Sequence, residues 1–166
     1  MRNLTLKKID RFFKEKGFKK KGVIWYLPCK EIYILCQYQG SKIFNGFYLN
    51  FGLYFKNLLY HADDYIPIMD DCTFEGRYNQ LLKGFVVNPP PYIDFEHFSE
   101  ENILNKLNEI TNNIEIFILP YLYQMTNYDY FEKNFPANFD HNRLWLQYIR
   151  EKDFMDFIFN ENNNKS

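Results

Sequence analysis

Residues 47–55 alternate without a break. Phe47, Leu49, Phe51, Leu53 and Phe55 fall on one side of an extended chain, and Tyr48, Asn50, Gly52 and Tyr54 on the other. Period-two alternation of this kind belongs to a strand in a sheet with one buried face. Two shorter β-rich runs precede it: residues 23–27, closed by Pro28, and residues 32–39, reached through a connection short enough for a hairpin. The three runs read as an antiparallel meander, entered through a Gly-Phe-Lys-Lys-Lys-Gly link at 17–22. Ahead of them, Leu6, Ile9, Phe12, Phe13 and Lys16 keep helical spacing, with Lys7, Lys8, Asp10 and Arg11 on the outer side. This predicts a helix over 3–16, stopped by Gly17.

The middle of the chain is less regular. Residues 60–65 read as a loop, and 71–82 as an edge strand or a broken turn. The Asn-Pro-Pro-Pro connector at 88–91 blocks helix and central strand alike, and a short strand at 92–95 extends the sheet after it. Ser99 is suited to cap a helix whose first turn carries Glu100 and Glu101. Ile103, Leu107, Ile110, Ile114, Phe117, Ile118, Tyr121, Leu122 and Met125 then hold one helical stripe. Pro120 lies inside it and requires a kink, or a break with Pro120 opening a second helix. Further helical segments are expected at 128–134 and 141–159, and residues 160–166 form a polar frayed tail. The fold class is α+β: an antiparallel sheet of about four to five strands, with the N-terminal helix and C-terminal helices packed on one face. Residues 1–159 are expected to make a single domain.

Composition narrows the function classes more than it names one. With 166 residues, 46% hydrophobic and 20% aromatic, the chain can bury one core. No apolar run is long enough to span a bilayer, and the start of the chain has no apolar signal core, so a cytoplasmic location is expected. Cys29, Cys36 and Cys72 are odd in number and lack Cys-x-x-Cys spacing, which suggests buried thiols. Charge is lopsided. Residues 1–60 hold 12 Lys and Arg against 3 Asp and Glu, whereas residues 61–166 hold 8 against 18. Neutralisation of one part by the other within a single fold is the favoured explanation, since no Arg-rich tract accompanies the lysines. Nucleic acid is therefore not expected to be the main partner.

Several segments together resemble a known family. A helix ends in Gly17-Phe18-Lys19-Lys20-Lys21-Gly22, a strand runs into Gln39-Gly40-Ser41, and another contains Asn50-Phe51-Gly52. Cys72 precedes Arg77 by five residues, and a later helix approaches Leu119-Pro120-Tyr121-Leu122. The pattern resembles the bacterial domain-of-unknown-function family 4304, with its Gly-Phe-Lys-Lys-Lys opening, Gln-x-Ser turn, Asn-Leu-Gly strand and Cys-to-Arg step. Here Phe51 stands between Asn50 and Gly52, and a double tryptophan expected near Tyr92 is missing. The resemblance implies the architecture and no activity.

Candidate chemistry divides into two groups. His61, Asp63, Asp64, Asp70, Asp71 and Cys72 lie close in sequence and are metal-ligand types, but no second histidine sits at helical spacing, so a solvated acidic loop is preferred. Cys72 with His61, His97 or His141 as base would suit a nucleophile, yet no glycine elbow or anion hole flanks it, and a small buried hydrophobe is the better account. The second group is the polar side of the sheet. Asn50 is mid-strand, where asparagine is disfavoured, between Tyr48 and Tyr54, while Gln37 and Gln39 share a side of the preceding strand. Trp25 or Tyr26 would lie across from them. These side chains, with Arg77, either make an exposed amide-and-aromatic surface or lie beneath helices. An ion pair with the acidic 63–71 cluster is preferred for Arg77.

The expectation is a non-catalytic protein-binding domain with no cofactor and no metal, of the immunity type that neutralises a bacterial toxin. Its candidate surface is Gln37, Gln39, Tyr48, Asn50, Tyr54 and Arg77. The alternative is a small hydrolase or nucleotide-acting enzyme using His61, Cys72 and nearby carboxylates.

Overall fold

The computed structural model describes residues 2–30, 32–56, 65–72, 74–83, 85–86, 93–96, 98–127 and 130. Helix α1, Arg2–Glu15, turns Ile9, Phe12 and Phe13 inward. It ends where Gly17 adopts φ +83°, a conformation that costs glycine nothing. There the Phe18 N–H reaches Phe13 O at 2.9 Å and the Gly17 N–H reaches Lys14 O at 3.0 Å. The Phe13 and Phe18 rings meet at 4.9 Å, completing a Schellman stop with its hydrophobic contact.

The sheet runs β1 (Lys19–Lys21), β2 (Ile24–Cys29), β3 (Ile32–Gly40), β4 (Gly46–Phe55) and β5 (Phe74–Arg77), with every neighbouring pair antiparallel. The short strand β6, Ile93–Asp94, pairs with the start of β4 at Gly46 and Phe47. The link at 17–22 is thus partly a strand, because a two-residue loop of Gly22 and Val23 folds the lysines back onto β2. Pro28 does not end β2; it pairs with Tyr33, beyond the point where β1 stops, and proline is tolerated on such an edge.

Registry decides the two faces. Trp25, Cys36, Phe51 and Gly76 form one row across β2 to β5, on the helix side. Phe47, Leu49, Phe51, Leu53 and Phe55 are all buried there, as the alternation predicted. They pack with Ile9 and Phe13 of α1, Leu81 and Leu82 of α2 (Tyr78–Leu82), and Ile103, Leu107 and Ile110 of α3 (Glu100–Asn113) in one continuous core. Phe13 stacks on Trp25 at 5.3 Å, and the Trp25 Nε1–H donates to Asp10 Oδ1 at 2.9 Å. Lys20 closes the same corner from β1, its ammonium 2.9 Å from Asp10 and 5.3 Å from the indole. These two hydrogen bonds, that from Lys20 foremost, hold the Asp10 carboxyl below the usual carboxylate range.

Ser99 caps α3, accepting from the Asn102 N–H at 3.2 Å. The expected interruption near Pro120 is present, with a cause the periodicity does not show. Ile114–Ile118 is a π-type turn, in which the Leu119 N–H reaches back to Ile114 O. Helix α4, Leu119–Gln124, continues from it without a break, Ile118 and Leu119 keeping helical dihedrals, so Pro120 follows directly on the π turn. Residues 88–91, 128–129 and 131–166, including the expected helices there and the polar tail, lie outside the described residues apart from Tyr130.

Candidate functional site

Among the described residues, the opposite face of the sheet is covered only in its middle. The segment from Tyr65 to Cys72, containing a single 3-10 turn at Met69–Asp71, crosses it and packs Met69 and Cys72 against Ile24, Leu35 and Tyr54. Gly52 makes this approach feasible: a Cβ there would stand 2.5 Å from Cys72 Sγ and 2.9 Å from Met69 Sδ. The Tyr65 hydroxyl donates to Asp71 Oδ2 at 2.5 Å, and the Ile68 N–H donates to the same oxygen at 2.9 Å. The bond to Asp71 is the main reason that the Tyr65 phenol is pushed up to about 12.

Beside this segment lies an open cleft of about 600 Å³, floored by Gln37, Gln39 and Asn50. Gln37, Asn50 and Arg77 are cross-strand partners on β3, β4 and β5. The Asn50 amide donates to Gln37 Oε1 at 3.3 Å and to Gln39 Oε1 at 2.9 Å, bridging the two strands. This explains asparagine at a mid-strand position. The Arg77 guanidinium lies 4.6 Å from the Tyr48 ring centroid, a cation–π distance, and Phe44 meets the same ring edge-on at 5.6 Å. Met69, Asp70, Glu75 and Gln80 complete the wall.

Five of the six side chains expected on this face therefore lie together, at the cleft or on its rim: Gln37, Gln39, Tyr48, Asn50 and Arg77. Tyr54 is the exception. It is 3% exposed beneath the 65–72 segment, its ring 6.3 Å from that of Tyr65, so it belongs to the packing. The described helices are on the other face, and so is Trp25; of the two aromatic residues suggested near the amides, Tyr26 alone shares their side, where it meets Tyr33 at 6.1 Å. Arg77 does not pair with Asp70 or Asp71; its cation is against Tyr48.

Asp70, Glu75 and Gln80 were not among the expected site residues. Gln80 has a local signal, standing three residues after the helix-capping position held by Arg77, whose N–H it accepts at 2.8 Å. Asp70 and Glu75 reach the cleft only through tertiary folding. Of the metal-ligand candidates, Cys72 is buried and Asp71 is engaged by Tyr65, while His61, Asp63, Asp64, His97 and His141 lie outside the described residues. Among the described residues no group of three or more His, Cys, Asp or Glu converges as metal ligands would. Nor is any described helix long and apolar enough to cross a membrane.

A two-layer α+β domain with a polar, amide-lined cleft on the sheet face opposite the described helices is what fold and site together define. Residues 9–124 match the family described as Domain of unknown function (DUF4304), and the chain belongs to that family. No curated protein and no solved structure matches it. Some of the residues that carry the resemblance meet in this region of space: Gln39 bonds Asn50, Gly52 receives Cys72, and Arg77 stands opposite Asn50.

Proposed function

We propose that this chain is a non-catalytic protein-binding domain of the bacterial cytoplasm, of the immunity type that neutralises a toxin, and that the cleft on the open sheet face is its binding site. The observation that carries the reading is the convergence of Gln37, Gln39, Asn50 and Arg77, with Tyr48 beneath the arginine, on one accessible face. Amide, aromatic and guanidinium groups recognise a surface through oriented hydrogen bonds and stacking, as interface residues do. The binding reading is preferred to the enzymatic one because Cys72 is 1% exposed, with Sγ turned toward Ile68 O at 3.7 Å. Cys29, Cys36 and Cys72 are all free thiols, in keeping with a reducing compartment.

The test is co-expression with the products of the genes adjoining its own. A growth-inhibiting product should be neutralised and should form a stoichiometric complex in size-exclusion chromatography. The complex should be lost when Asn50→Arg and Arg77→Glu are combined. If no neighbouring product binds, or if binding survives that double variant with the fold intact, the reading fails.

A further inference from the structure

On the helix side of the sheet, a cavity of about 160 Å³ lies where the first turn of α1 meets the end of β3 and the start of β4. Arg2 and Thr5 line it from α1, Tyr38 from β3 and Ser41 from the loop that follows, with Phe47 and Phe95 as its apolar wall. Tyr38 is 6% exposed and stacked on Phe47 at 4.9 Å, yet its hydroxyl has no hydrogen-bond partner among the described residues. A buried tyrosine hydroxyl usually has one. This one lies beside Gly40, where a Cβ would stand 3.9 Å from the oxygen and where glycine has no side chain to cover it. Burial holds the phenol above its ordinary range, against a smaller pull from the Arg2 charge, so near neutral pH it is protonated and able to donate. Ser41 Oγ accepts from the N–H groups of Ile43 and Phe44 at 3.1 and 3.2 Å, which leaves its own O–H to donate. Arg2 forms no ion pair among the described residues, and of those lining the cavity it alone is charged. The first turn of α1 carries no acidic side chain, and the positive end of that helix favours an anion.

We propose that this cavity binds a small free monocarboxylic acid, its carboxylate between Arg2 and the Tyr38 hydroxyl and its short apolar body against Phe47 and Phe95. One guanidinium answers a single negative charge better than the double charge of a phosphate group. The aromatic wall favours a hydrocarbon body over a fully hydrated ion. The volume sets the size, being well below the roughly 300–1,000 Å³ of sites for drug-sized ligands. This site is distinct from the amide cleft, and it stands or falls independently of the protein-binding reading.

The experiment is an amide-resolved NMR titration of the full chain with sodium butyrate, with butyramide and inorganic phosphate as comparators at equal ionic strength. Butyrate should shift the amides of Thr5, Tyr38 and Ser41 saturably, with a Kd of about 1 mM or tighter, which the binding efficiency of very small ligands allows. Butyramide, alike in size but uncharged, should bind about tenfold more weakly. Tyr38→Phe keeps the stacked ring and removes only the hydroxyl; it should weaken butyrate about fivefold while leaving the Tm of the free chain unchanged, since no internal hydrogen bond is lost. Arg2→Gln, at an exposed position, should weaken butyrate similarly and erase its advantage over butyramide. A capped Gly-Glu-Gly peptide offers the same carboxylate from a main chain and should bind more weakly than butyrate, because the cavity has no room for that chain. Absence of saturable shifts at these residues, equal binding of butyramide, indifference to either variant, or tighter binding of phosphate would each overturn the proposal. Tighter binding of the peptide would make the cavity a contact for a partner protein and overturn it equally.

Discussion

At the scale of single residues, the contact between Gly52 and Cys72 ties β4 to the segment that crosses its outer face. A methyl group at position 52 would overlap Cys72 Sγ and Cβ and Met69 Sδ, all within 2.9 Å. Gly52→Ala should therefore cost about 1–3 kcal/mol, as overpacking does. Adding Cys72→Ala should recover part of the loss, since it removes the nearest atom; chemical denaturation of both single variants and the double variant gives the comparison, and strict additivity would refute the overlap. Tyr65 supplies a second residue-level prediction. Its folded pKa of about 12 lies above the ordinary value of 10, so the phenol's bond to Asp71 stabilises the fold fully below pH 10. That contribution is lost as pH rises from 10 toward 12. Stability measured across this window should fall more steeply for the parent chain than for Tyr65→Phe, and equal slopes would contradict the assignment. Residue identity alone shows Asn50 to be out of place on a strand. It cannot show that Tyr54 is buried, because a tyrosine on the outer face reads the same whether or not a later segment covers it. Gly52 was the local trace of that segment.

At the scale of elements, strict alternation made β4 readable to within a residue, since a slip of one position would turn Phe51 out and Asn50 in. This register is open to direct test. Phe51→Asp places an unpaired charge at a 0% exposed site and should abolish the cooperative thermal transition. Asn50→Asp, on the half-exposed opposite face, should leave the chain folded. The reverse pattern would mean the register is wrong. β1 was not legible, for three consecutive lysines have no strand propensity of their own; the hairpin and the Lys20 contact with Asp10 and Trp25 impose it. β5 and the five-residue α2 are too short to display a period. Pro120 was legible as a break, but the π turn before it was not, since i to i+5 bonding leaves the stripe of Ile110, Ile114, Ile118 and Leu122 intact. Because the wider i to i+5 turn directly before Pro120 already loosens the helical bonding there, Pro120→Ala should change stability by less than about 1 kcal/mol. A mid-helix proline would instead release about 3 kcal/mol on replacement, and a gain of that size in urea denaturation would show the helix to be strained.

At the scale of the molecule, the helix layer and the open sheet face divide the labour: one side holds the core, the other the cleft. Division into a buried and a polar face follows from sequence periodicity, whereas Asp70, Glu75 and Gln80 reach the cleft by chain crossings that no local pattern records. The charge imbalance is a property of the same scale. Lys16, at the end of α1, forms an ion pair with Glu115 of the π turn, and Lys20 one with Asp10, so two cations of the basic cluster are answered within the fold. Lys14 stands in the last turn of α1, where the helix dipole favours a cation. Lys19 and Lys21 remain exposed on β1, and binding along a phosphate backbone would need them joined with further cations into one continuous uncompensated surface. Short single-stranded and duplex oligonucleotides should accordingly bind no more tightly than about 1 µM at physiological salt, the range of sequence-independent attraction. Fluorescence anisotropy at low and physiological salt measures this directly. Submicromolar affinity that falls steeply with salt, and vanishes when Lys19, Lys20 and Lys21 are all changed to Glu, would move the functional surface from the amide cleft to the basic hairpin. Retained submicromolar affinity in that triple variant would place a nucleic-acid site elsewhere on the chain and refute the charge argument equally.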